Sequence, residues 1–200
     1  MNFLAHSYLA GPTPQSLVGN MVADFVKGRA VHELSPEVRR GVFLHRQVDR
    51  FTDSHAVVKR SCARLDPINR RFAGIITDIF YDHFLAAHWP LHSYTLLEQH
   101  AESVYRTLEA NRHLAPSTFH PILDILRREN WLCGYATRTG VETTLRRMGR
   151  RITRGESLPL AMTDLDREYD AFHQDFEEFF SDLLGNLPHL HLSAARLAEP

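Results

Sequence analysis

Apolar residues recur at three- and four-residue intervals along most of the chain, and no stretch alternates β-branched with polar residues between hairpin turns. This period predicts helices over about 15–29, 36–53, 55–65, 69–88, 93–111, 117–129, 130–137, 141–153 and 164–184, with boundaries good to roughly 2–4 residues. Ser35-Pro36 reads as an N-cap followed by proline at the first helical position, and Thr163 with Asp166 reads as the opening of the last helix. In that last helix Leu165, Tyr169, Phe172, Phe176, Phe179 and Leu183 form one apolar stripe, with Asp166, Glu168, Asp175, Glu178 and Asp182 expected outside it. The expected fold is all-α, a single-domain helical bundle over 1–184. Pro188 and the loss of the stripe predict an irregular tail over 185–200.

A chain of 200 residues can bury a sizeable core. Its formal net charge of -1 argues against a protein built to coat nucleic acid or an anionic membrane. Cys62 and Cys133 are the only cysteines, too few for a disulfide framework or a thiolate zinc site, which fits a reducing cytoplasm. The opening Met1-Asn-Phe-Leu-Ala-His6 does not read as a signal peptide, and no uninterrupted apolar run is long enough to span a membrane.

The informative positions are acids and histidines standing where the helical period calls for apolar residues. On 36–53, Val38, Val42 and His45 share a face, with Asp49 one turn beyond. On 69–88, Phe72, Ile76, Ile79 and His83 point inward beside Asp78 and Asp82. On 15–29, Asn20 and Asp24 stand four apart next to Leu17 and Met21, and His6 lies upstream in an apolar context. A buried unpaired carboxylate costs several kcal/mol. A divalent cation on mixed His and Asp ligands meets that need, and the donor chemistry leans towards Mn2+ or Mg2+, with Fe2+ possible. Taken singly, each residue reads as readily as a hydrogen-bonded core histidine or, for Asp49, as a partner of Arg46 or Arg50. Spacing alone does not choose among His6, Asp24, His45, Asp49, Asp78, Asp82 and His83. Most other histidines, His92 among them, read as surface or loop positions.

Arg146, Arg147, Arg150, Arg151 and Arg154 make a basic stripe suited to phosphate or an acidic partner. The plainer alternative is a solvated face neutralised by the acid-rich 164–182 helix. The stripe lacks interleaved stacking aromatics, so nucleic acid is not the expected partner.

Five blocks, Met1-Asn-Phe-Leu-Ala-His6, Gly19 to Gly28, His45-Arg-Gln-Val-Asp-Arg-Phe-Thr-Asp53, Asp78 to Leu85 with His88-Trp89, and Trp131-Leu132 with Tyr135, resemble the acyl carrier protein phosphodiesterases. The resemblance implies a metal-dependent enzyme, usually with manganese, that hydrolyses the phosphodiester joining 4′-phosphopantetheine to a serine of holo acyl carrier protein. It also implies an HD-domain-like helical fold, although the dyad here is written in reverse as Asp82-His83. Carried onto this chain, it gives Asp24, His45, Asp82 and His83 as metal ligands. His6, Arg46, Asp49 and His83 become the catalytic set: Arg46 neutralises charge on the phosphoryl oxygens, and His83 or His6 protonates the leaving serine. The arginine stripe would then steer the acidic carrier protein. Two rivals are a metal phosphohydrolase acting on a nucleotide or small phosphodiester, and a non-catalytic helical adaptor.

Overall fold

The computed structural model describes residues 1–199, which among themselves form helices and turns and no strand. In chain order the α-helices are α1 (Phe3–Leu9), α2 (Pro14–Val22), α3 (Pro36–Ser54), α4 (Ala56–Arg64), α5 (Ala73–Ala87), α6 (Trp89–His92), α7 (Leu97–Ala110), α8 (His120–Arg128), α9 (Trp131–Gly134), α10 (Arg138–Arg151), α11 (Ala161–Arg167) and α12 (Tyr169–Ala198). The all-α class follows the apolar period directly. None of these helices is long and apolar enough to cross a membrane.

α12 lies along α3 and packs on α4 and α5, burying Phe172, Phe176, Phe179, Phe180 and Leu183. On α5 Ile76, Ile79 and His83, with Phe72 just before the helix, are buried as the period requires. The closest crossing is that of α2 with α3, where Gly19 meets Gly41 and a Cβ on either would strike backbone atoms of the other helix.

Several local expectations are corrected. The helix expected over 15–29 ends at Val22, and the chain continues in 3-10 turns over Ala23–Phe25 and Gly28–Glu33, with Gly28 at φ 56. Pro36 does stand in the first turn of α3, but the Ser35 side chain makes no cap hydrogen bond. The last helix does not open at Thr163: α11 starts at Ala161, and α12 follows after a break at Glu168. The tail expected to be irregular from 185 is helical to Ala198, with Pro188 inside the helix and Ala194 and Ala198 buried. Asp175, expected outside, is 1% exposed. It accepts hydrogen bonds from Arg60, Arg64 and Ser61 of α4, so an ion-pair cluster ties α12 to α4.

Candidate metal centre

The glycine contact between α2 and α3 brings the Asn20 carbonyl 2.9 Å from His45 Nδ1. A carbonyl only accepts, so Nδ1 carries the proton and Nε2 presents its lone pair. That Nε2 lies 3.0 Å from Asp49 Oδ2 and 3.5 Å from Asp24 Oδ1. A lone pair facing two carboxylates is repulsive unless a proton or a cation lies among them. His6, on α1, puts Nε2 3.0 Å from Asp49 Oδ1, and its ring stacks on His45 with centroids 3.7 Å apart. His6, His45 and Asp49 thus converge as a group that could bind a metal. Asp24 hangs from the neighbouring turn, largely exposed, within reach of His45.

The electrostatics match this crowding. Burial alone would lower the pKa of His45, but Asp24 and Asp49 outweigh it and raise the imidazolium to about 9. His6 goes the other way, to about 4, through burial and then the proximity of His45, against the pull of Asp49. Burial acts to raise the Asp49 carboxyl, yet His45 and His6 hold it well below the usual carboxylate range.

Two residues expected as metal ligands are occupied elsewhere. Asp82, fully buried, accepts from the backbone amides of Asn2, Leu4 and Ala5 at 3.1, 2.8 and 3.4 Å. It is therefore the anion at the N-terminus of α1, where the helix leaves amides without intrahelical partners, and it holds the helix that carries His6. His83 is bonded at both ring nitrogens, Nδ1 to the Tyr135 carbonyl at 2.8 Å and Nε2 to the Tyr169 hydroxyl at 3.0 Å. Neither belongs to the group formed by His6, His45 and Asp49. Asp78 meets the Met1 ammonium at 2.7 Å. Arg46 also lies off the centre: it donates to the Val26 carbonyl at 2.8 Å and lies over Phe43, bracing the turn that bears Asp24.

The cluster opens into a cleft of about 380 Å³. Its lining includes His6, His45, Asn20 and Asp24 together with Lys27, Met148, Arg151 and Ile152. Asn20 is fully buried, and neither of its side-chain amide atoms has a hydrogen-bond partner. Buried polar groups are nearly always satisfied, so the unpartnered Asn20 amide suits a ligand in the cleft. Lys27 was missed by sequence reasoning. The available signal was its position three residues after Asp24, as one of only two lysines in the chain.

The arginine stripe runs to the edge of this cleft. Arg146 pairs with Glu142, and Arg147 pairs with Glu129 and stacks on Trp131. Arg150, Arg151 and Arg154 form no ion pair among the described residues, so the acidic face of the last helix does not neutralise them. Arg146, Arg150 and Arg154 also line an adjacent groove of about 540 Å³.

The chain is similar to curated proteins named acyl carrier protein phosphodiesterase. That of Photorhabdus laumondii is 35% identical over 90% of this chain and 91% of its own length, and that of Klebsiella pneumoniae is 34% identical over 92% and 96%. The Salmonella agona protein of the same name is 33% identical over 99% of this chain and all of its own. No solved structure matches. The model of the family described as acyl carrier protein phosphodiesterase matches residues 1–183, and on this match and these relatives the chain belongs to that family.

Proposed function

We propose that this chain is a metal-dependent phosphodiesterase that releases 4′-phosphopantetheine from the serine of holo acyl carrier protein. The observation that carries the reading is the convergence of His6, His45 and Asp49, two of which, His6 and His45, line a cleft that Lys27 and Arg151 also line. His6, His45 and Asp49 would hold the ion, and Asp24 is placed to complete the set. The unpartnered Asn20 amide, and a His45 Nε2 that faces two carboxylates, fit such an occupant. Two imidazoles with carboxylate oxygen favour Mn2+ or Fe2+ over Mg2+, which prefers oxygen ligands throughout. A bound divalent cation supplies an acidified water and neutralises charge gathering on the phosphoryl oxygens.

The remaining work falls to the chain. The Asn20 carbonyl fixes the His45 tautomer and its ring orientation, as outer partners of metal-binding histidines do. His6 stays neutral down to about pH 4, which suits a nitrogen ligand better than the general acid expected of it. Lys27 and Arg151 are placed to orient the phosphate, and the apolar surface of Phe3, Met148 and Ile152 suits the pantetheine arm. Arg150 and Arg154, unpaired beside the cleft, offer positive charge to an acidic carrier protein. The two unpaired cysteines suit work in the reducing cytoplasm.

The test is intact-mass spectrometry of holo acyl carrier protein incubated with the chain and Mn2+, with and without chelator. Loss of the phosphopantetheine mass only with metal is expected, and Arg150→Glu with Arg154→Glu should slow that turnover more than cleavage of a small chromogenic diester. An unchanged carrier protein alongside a cleaved small diester would move the substrate to a free phosphodiester. Neither product, together with no bound metal, would leave a helical adaptor.

A further inference from the structure

Asn20 lines the cleft from α2 and is 0% exposed, yet neither its Nδ2 nor its Oδ1 has a hydrogen-bond partner in the protein. Asparagine is a weak helix former, and a buried amide without partners is costly, so neither helix formation nor stability accounts for it at this position. Asp24, four residues on, does not take up the amide: its carboxylate stands 3.5 Å from His45 Nε2, and its side chain is 81% exposed.

The two orphaned atoms make opposite demands. Nδ2 carries hydrogens and needs an acceptor, whereas Oδ1 offers lone pairs and needs a donor or a cation. An ion held by His6, His45 and Asp49 could meet the second demand but never the first, because a cation takes lone pairs only. Nδ2 therefore calls for an occupant that brings an acceptor oxygen of its own. A phosphodiester together with the water that attacks it supplies both partners, since the non-bridging oxygens accept and the water donates.

We propose that the Asn20 side chain seats the scissile phosphodiester, with Nδ2 donating to a non-bridging phosphoryl oxygen and Oδ1 accepting from the attacking water. This deepens the phosphodiesterase reading above and rests on it. In that reaction the water oxygen joins phosphorus, the bond from phosphorus to the serine oxygen breaks, and the serine oxygen ends with a proton from the water. Lys27 and Arg151 also line the cleft, but both are exposed on long flexible stems. Asn20 is instead fixed beside the close crossing of Gly19 and Gly41, and its own carbonyl accepts from His45 Nδ1 at 2.9 Å. One residue thereby ties the imidazole and the phosphoryl group to the same stretch of backbone. A donor held in place before the substrate arrives needs no reorganisation during the reaction, and removing one such donor lowers kcat by about 10²–10³-fold.

The experiment compares Asn20→Leu and Asn20→Asp with the parent, all as full chains. Asn20→Leu is close to the amide in shape, keeps the backbone carbonyl that orients His45, and deletes both polar atoms. Asn20→Asp keeps an acceptor and deletes the donor. Melting of the metal-free chain, Mn2+ affinity by calorimetry, and Mn2+-dependent turnover of holo acyl carrier protein and of bis(p-nitrophenyl) phosphate are measured. Asn20→Leu should melt a few degrees above its parent, because two unpartnered polar atoms are gone, and should bind Mn2+ as tightly. Both variants should lose about a hundredfold or more in kcat on both substrates. An Asn20→Leu chain that melts below its parent, that loses Mn2+, or that keeps its turnover overturns the proposal, and so does an Asn20→Asp chain with the parental kcat. A parent that cleaves neither diester overturns the phosphodiesterase reading and this inference with it, whereas an active parent with equally active variants overturns this inference alone.

Discussion

Replacing Gly41 by alanine probes the crossing on which the centre depends. A Cβ there would lie 2.8 Å from the Asn20 backbone nitrogen and 2.9 Å from Gly19 Cα, and closer still to the Ser16 carbonyl oxygen. Carbon contacts are comfortable at about 3.5–4.0 Å, and backbone atoms cannot rotate away, so α2 and α3 must part by about 1 Å. Overpacking of this kind costs about 1–3 kcal/mol. In a domain of this size each kcal/mol lowers the melting temperature by about 2–4 °C. The same movement stretches the bond from His45 to the Asn20 carbonyl beyond 2.9 Å and turns the ring from its aim. A displacement of about 1 Å at a reacting centre costs on the order of a hundredfold in rate. Urea unfolding and turnover should be measured for Gly41→Ala beside Gly185→Ala, whose added Cβ meets nothing within 4 Å in the exposed middle of α12. The Gly185 variant should gain up to about 1 kcal/mol from helix propensity and keep its activity. A Gly41 variant with the parent's unfolding midpoint and turnover would refute the claim that this crossing sets the site.

Four further outcomes follow from named contacts. Asp49→Asn should abolish metal binding at the first centre, whereas Asp82→Asn should keep it with weakened affinity and cost about 1–3 kcal/mol of stability, because Asp82 serves the amides of α1; metal content and urea midpoints separate the two. Asp175→Asn removes the carboxylate that Arg60 and Arg64 share across the α4–α12 contact, though each keeps a glutamate partner, and should cost about 1–3 kcal/mol, read by chemical denaturation. In the metal-free chain His45 titrates near 9 instead of 6.5, so its contribution, of order 3 kcal/mol, is whole below pH 6.5 and is lost as pH rises to about 9. For the same reason metal binding at pH 7 should release about one proton, measurable by calorimetry in buffers of different ionisation enthalpy.

The helical class and the inward histidines were legible because the apolar period is strong on α3 and α5, and a polar residue within such a stripe stands out. His45 and Asp49 were visible in this way, and so was Asp82, but sequence could not say what satisfies a buried carboxylate. For Asp82 the answer is three backbone amides of α1, a helix of seven residues too short to leave a periodic signature. Asp175 was read as exposed because its partners Arg60 and Arg64 stand more than a hundred positions away. Pro188 was read as a break, yet the last helix runs through it, its later turns anchored by the burial of Ala194 and Ala198. The Gly19–Gly41 contact is tertiary and leaves no local signal. Nothing in the sequence places His92 against the last helix, because only the packing of α12 brings Glu177 to it.

The most direct measurement of the central claim is anomalous diffraction at the manganese edge from a crystal of the full chain grown with Mn2+. The account expects a peak among His45 Nε2, His6 and Asp49, with Asp24 swung towards it. A peak beside Asp82 or His83 instead, or none in the cleft at full occupancy of the protein, would contradict it.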